Sequence, residues 1–275
     1  IFNQQPMGFY NLETLKEDAK RRYGIRVLNP DINKSQDRCA IRDDRSFWLG
    51  LLNVKNLGRV AVDTILKERQ KGNFFSSLCN FIRRTGLRHR AIESLIVSGA
   101  FDSIVSDRRL ALWEAGLIYR PVGTQLVFPI VVEQDMADLV PAGKWETMLG
   151  EYRTMGTYPS GHLMAHLRDH LPSEVITSYG ISKLEDGSEV VIAGLVIRRQ
   201  HPSTNAFFIT LEDEFGHIPL VLWPDIFNQY RLVILEPILK IRGVVSRLDS
   251  SFNVVVRHVE SIPIQNYFPL SRDWG

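Results

Sequence analysis

The chain has 275 residues, 44% of them apolar and 23% charged, with a formal net charge of +2, which is enough for about two domains, each with its own core. Its two cysteines, Cys39 and Cys79, are too few for a disulfide framework and lack the paired spacing of a zinc site, so a reducing, cytoplasmic setting is expected. No secretory signal is read, and no apolar run approaches the roughly 20 residues that cross a bilayer, which argues against an integral membrane role.

The opening Ile1-Phe2-Asn3-Gln4-Gln5 lacks an initiator methionine and starts in mid-pattern, so the chain is expected to be a piece of a longer one. Residues 1–45 read as a short α-rich segment ending in an extended one. Asn11 is placed to cap a helix whose Leu12, Leu15 and Ala19 share a face, with Gly24 just past its end. Val27 to Asn33 then reads as a strand leaving into a turn.

The stretch 48–72 reads as two short helices joined by a tight hairpin. Leu49, Leu52 and Val54 close a first apolar segment, Lys55-Asn56-Leu57-Gly58 form the turn, and Val60, Ala61, Thr64 and Ile65 restart the helical period. Asn56 and Gly58 are residue types that enter left-handed backbone cheaply, so the chain can present N–H groups outward just ahead of a helix N-terminus. Phosphate fits such a site, and Lys55, Arg59, Lys67, Arg69 and Lys71 add positive charge around it. Residues 51–110 hold 11 Lys and Arg against 5 Asp and Glu, a local excess of six in a chain of net +2. Charge gathered in one place is an electrostatic footprint for nucleic acid. The same pattern also fits a helical hairpin that packs a core and carries solvated lysines.

Helical signals continue at 77–84, 90–97 and 108–118, with Gly86 and Gly99 as stops. Pro121-Val122-Gly123 opens a linker to about Gly143, containing Gln125-Leu126-Val127-Phe128, a weak match to clamp-docking peptides. Short helices follow at 145–154 and 163–167. From Glu189 the period changes to 2, and five strands are expected at 190–197, 206–211, 217–223, 238–245 and 252–259, with a helix at 224–230. That order is the order of an OB barrel, whose second and third strands commonly bind single-stranded nucleic acid. Arg198 and Arg199, Phe207 and Phe208, and Trp223 are the candidate contacts there, although one of the paired phenylalanines must face the core.

The acidic triplet Glu212-Asp213-Glu214 sits at a turn, where neighbouring side chains diverge, so solvation rather than a metal is expected to explain it. His162, His166 and His170 recur every four residues and are expected on a polar helix face. No catalytic nucleophile arrangement or glycine-rich phosphate loop is read, and no catalytic or metal-ligating residue is assigned. The whole is expected to be α+β and multidomain: an initial segment 1–45, a helix-hairpin-helix domain 46–120, a linker with short helices 121–188, a five-stranded OB-fold β-barrel 189–262 and a tail 263–275.

Taken in order, Gln5-Pro6-Met7-Gly8-Phe9-Tyr10, Leu28-Asn29-Pro30-Asp31-Ile32-Asn33, the hairpin through Phe81, Leu95-Ile96-Val97-Ser98-Gly99-Ala100-Phe101-Asp102, the barrel segments 193–200 and 208–216, and the ending Ser271-Arg272-Asp273-Trp274-Gly275 resemble the C-terminal part of a bacterial C-family DNA polymerase. This is the polymerase III alpha-subunit family, and the resemblance is to its error-prone, ImuC-type branch. It implies translesion synthesis beside a sliding clamp and an ImuB-type partner. Residues 1–45 would end the fingers, and the Mg2+-binding palm carboxylates would lie upstream, so the segment would be inactive alone. Primer-template duplex would meet the hairpin, and single-stranded DNA the barrel. The family commonly carries glycine where this chain has Asn56. A replicative alpha subunit, and a protein-recruitment module whose barrel binds no DNA, are the alternatives.

Overall fold

A computed structural model describes residues 1–5, 11–119, 141–203, 206–248 and 251–263, and the backbone of a strand at Arg272–Trp274. The motif residues 6–10, the clamp-like peptide 125–128 and most of the stretch opened by Pro121 lie outside the described residues.

The first helix, α1 (Leu12–Tyr23), starts where Asn11 Oδ1 accepts the Thr14 amide at 2.8 Å. The expected apolar face is not the one it buries. Glu13, Thr14, Lys16 and Glu17 are buried, while Leu12 and Leu15 are only half-buried. Three short strands follow, β1 (Arg26–Leu28), β2 (Ala40–Asp43) and β3 (Ser46–Trp48), in a sheet of order β1-β3-β2. A 3-10 turn at Leu51–Asn53 stands where a first hairpin helix was expected. Then come α2 (Arg59–Gly72), α3 (Leu78–Thr85), α4 (His89–Val97), α5 (Arg108–Ile118) and α6 (Lys144–Met155). Ser77 caps α3 through the Asn80 amide, and Asp107 caps α5 through the Arg109 and Leu110 amides. Phe75, Phe81 and Phe101 stack edge to face at 4.7 and 5.0 Å between centroids, in a core with Ile65, Ile92 and Leu95.

Beyond these lie α7 (Leu163–Leu167), β4 (Val175–Ile176) and α8 (Ser178–Ile181). The barrel is built from β5 (Glu189–Ser203), β6 (Ala206–Glu212), β7 (His217–Leu222), helix α9 (Pro224–Tyr230), β8 (Ile238–Leu248) and β9 (Ser251–Ser261). Antiparallel pairs β5–β6, β6–β7, β8–β9 and β5–β8, with a parallel β7–β9 pair, close it. Alternation drives this closure: Ile218, Leu220 and Leu222 point inward from β7 and are fully buried, each contributing about 1.5–3 kcal/mol. Strand β10 (Arg272–Trp274) pairs in parallel with β5 at residues 198–200.

By internal contacts the chain forms two compact units, 1–3 with 23–160, and 4–22 with 161–275. These divide the chain differently from composition. Helix α1 falls in the barrel unit, and α6, in the stretch read as linker, falls in the helical unit.

Candidate nucleic-acid interface

In the helical unit the chain leaves the 3-10 turn and reverses at Asn56, whose φ is 64°. Leu57 is buried beneath the turn. Gly58 is not left-handed as expected: at φ −79° and ψ 166° it is the extended N-cap of α2, because the residue before a helix adopts β-region angles. Not every turn amide points outward either, since the Lys55 N–H donates to Thr154 O at 2.8 Å. The Leu57 N–H likewise donates to Val54 O at 3.3 Å, and the ladder of α2 begins with the Val62 N–H to Gly58 O bond at 3.1 Å. No side chain caps this helix start and no acidic residue sits in its first turn, so neither a cap nor a first-turn carboxylate offsets its positive end. Val60 projects beside it, 81% exposed.

The cations differ in what they are free to do. Lys55 and Lys67 are exposed. Arg59 is exposed but bridges Asp37 at 3.2 Å and Asp63 at 3.8 Å, and Lys71 pairs with Glu68 at 3.3 Å. Arg69 is half-buried and donates to Ile32 O at 3.0 Å, Ser35 O at 2.8 Å and Gln36 Oε1 at 3.4 Å, and burial lowers its pKa. It braces the loop 32–36 instead of adding surface charge.

A second turn of the same build was missed. Gly86 (φ 58°) ends α3, Leu87 follows, and Arg88 is the extended N-cap of α4, again with neither a side-chain cap nor an acidic first turn. The two segments align thirty residues apart as Asn56-Leu57-Gly58-Arg59-Val60-Ala61-Val62-Asp63-Thr64-Ile65 and Gly86-Leu87-Arg88-His89-Arg90-Ala91-Ile92-Glu93-Ser94-Leu95. The repeat is visible in the sequence, although Gly86 reads there as a helix stop alone. Asn56 Nδ2 donates to Ser94 Oγ at 2.9 Å and ties the first turn to α4.

On the barrel, Phe207 is half-buried and sandwiched between His201 and Phe227, with planes within 5° and 2°, so Phe208 is the ring that faces out, 37% exposed. Phe208 lies opposite Val221, and Trp223, two residues beyond, is 51% exposed. Arg199 donates to Ile234 O at 2.7 Å and Glu236 O at 3.0 Å, which makes it a brace. Arg198 is half-buried in register with Thr210.

The acidic triplet is a turn, as expected, but it is not solvated. Glu212 and Asp213 are fully buried. Glu212 accepts from Thr14 Oγ1 at 3.3 Å and Arg21 Nη2 at 3.2 Å and lies 2.9 Å from His217 Nε2. Burial pushes its carboxyl up, but His217, His162 and Arg21 outweigh it and hold it below the usual range. Asp213 takes the Ser178 amide at 2.6 Å and hydroxyl at 2.5 Å, and Glu214 takes the Arg168 fork at 2.8 Å. The three histidines do not share a continuous helix, because His162 caps α7 through the Met164 amide at 3.1 Å and His170 lies in a 3-10 turn. Among the described residues no group of three or more His, Cys, Asp or Glu could hold a metal ion, and no helix is long and apolar enough to cross a membrane.

Two family models match: a helix-hairpin-helix motif over residues 24–111 and an OB-fold nucleic acid binding domain over residues 190–262. Among relatives, an error-prone DNA polymerase of Mycolicibacterium paratuberculosis is 31% identical over 96% of this chain and 24% of its own length. One of Anaeromyxobacter dehalogenans is 32% identical over the same shares, and one of Pseudomonas paraeruginosa is 31% identical over 98% of this chain and 26% of its own. The chain therefore spans about a quarter of the length of these relatives.

Proposed function

The chain belongs, over nearly all of its length, to the error-prone DNA polymerase family, and we propose that it is a C-terminal part of such an enzyme, the part that holds DNA for damage-induced synthesis. Duplex backbone meets the hairpin turns and single-stranded template meets the barrel face. The observation that carries this reading is the uncapped start of α2 behind a left-handed Asn56, flanked by exposed Lys55 and Arg59. Such a helix end attracts phosphate through its unpaired N–H groups and its dipole. Phe208 and Trp223 supply π faces on which bases stack.

Nucleotidyl transfer with Mg2+ is assigned to carboxylates outside these residues, and the chain is proposed to be inactive alone. Glu212 and Asp213 support this, since their oxygens are spent on Thr14, Arg21, His217 and Ser178. A sliding clamp and an ImuB-type protein are the partners this reading implies for the parent enzyme.

Fluorescence anisotropy of the 275-residue chain on labelled primer-template and single-stranded DNA, over a salt series, tests the reading. Lys55→Ala with Arg59→Ala should lower the slope of log affinity against log salt for duplex by about 1 to 2, because each phosphate contact contributes about 0.9 and Arg59 is already paired to carboxylates. Phe208→Ala and Trp223→Ala should each weaken single-strand binding by about 1–3 kcal/mol and leave duplex binding alone. Duplex affinity and slope unchanged in the double variant would show the hairpin to be structural.

A further inference from the structure

Beside the first turn opens a groove of about 500 Å³, bordered by Lys55 of the turn, Arg90 and Glu93 of α4, and Arg153 of α6. Its walls are tied together by bonds between residues of the turn, α4 and α6. Thr154 O of α6 accepts the Lys55 amide at 2.8 Å, and the Asn56 amide holds Ser94 of α4. Glu151, buried on α6, accepts from Asn29 Nδ2 at 2.7 Å and Arg108 Nη2 at 2.8 Å. Helix α6 also runs close to α4 at Gly150, where a Cβ would come within 2.7 Å of Val97 Cγ1. The groove thus brings three exposed cations from three elements against one carboxylate, Glu93, which lies 3.7 Å from His89 Nδ1.

We propose that this groove is a phosphodiester site, in which a backbone phosphate of bound nucleic acid sits among Lys55, Arg90 and Arg153. Two guanidinium forks and an ammonium match a phosphate in geometry and charge. Arg90 lies in the first turn of α4, so the groove joins the second turn to the first and extends the grip onto α6. The proposal rests on the hairpin reading above and adds a contact to it.

The test is the salt slope for primer-template binding by the full 275-residue chain carrying Arg153→Ala or Arg90→Ala, with thermal unfolding measured alongside. Each should lower the slope by about 0.9. Arg153→Lys should keep the slope while losing affinity, because the charge stays and the fork goes. A wild-type slope in either alanine variant overturns the groove, and if Lys55→Ala still lowers the slope the hairpin reading stands without it. A wild-type slope in all three overturns both.

Discussion

Asn56 carries two roles at once. Its φ of 64° suits asparagine better than any other residue with a Cβ, and its side chain is turned onto Ser94. Asn56→Ala removes that bond and leaves a left-handed alanine, so urea unfolding should show a loss of about 2–3 kcal/mol, from about 1–2 for the backbone and about 1 for the bond. Asn56→Gly gives up the same bond but relieves the backbone, and should stay within about 1 kcal/mol of the wild type. Equal losses in the two would mean that backbone conformation is not what asparagine supplies here. The residue type made the turn legible in sequence. Its partner 38 positions away was not legible, and neither was the fact that Gly58, the other permissive residue, is an ordinary extended N-cap.

Among elements, α6 departs most from what composition suggests. It follows a stretch opened by proline and glycine, yet it buries Met148, Tyr152 and Met155 and is pinned by Glu151 to Asn29 and Arg108. Breaking a buried charge pair from one side costs about 3–5 kcal/mol. Because Arg108 keeps Asp102 at 2.6 Å, Glu151→Ala should fall near the lower end, about 3 kcal/mol, in denaturant unfolding. An unchanged midpoint would show α6 to be dispensable to its unit. The strands were easier to read, since β7 alternates cleanly and its inward residues need no distant partner to be identified. Helix α1 shows the opposite case. Its buried flank is charged, and whether a charge is buried depends on what meets it. Lys16 lies 2.9 Å from Glu13 and 2.8 Å from Glu17, while Arg21 and Thr14 reach Glu212. Those last pairings span 191 and 198 positions and no local pattern encodes them. For the same reason the acidic triplet was legible as a turn but not as a buried one.

Across the molecule, Glu212 couples stability to acid. Glu212 titrates below its ordinary 4.5 in the fold, so its ionised form contributes stability that is complete above about pH 4.5 and is lost as pH falls through the lower folded value. Unfolding midpoints measured from neutral pH downward should hold and then drop below that point, and Glu212→Gln should flatten the drop while lowering the plateau. An acid limb identical in both proteins would remove Glu212 as its cause. The units themselves are interleaved along the chain, 4–22 belonging with 161–275 and 23–160 lying between. A recombination event that exchanged everything downstream of one point between 23 and 160 would therefore import a barrel without its own α1. Glu212 would then face a foreign α1, with Thr14 and Arg21 replaced by whatever the recipient lineage carries. In inheritance the barrel is thus not a free-standing cassette: its acidic turn takes Thr14 and Arg21 of α1 as partners, although more than a hundred codons separate them.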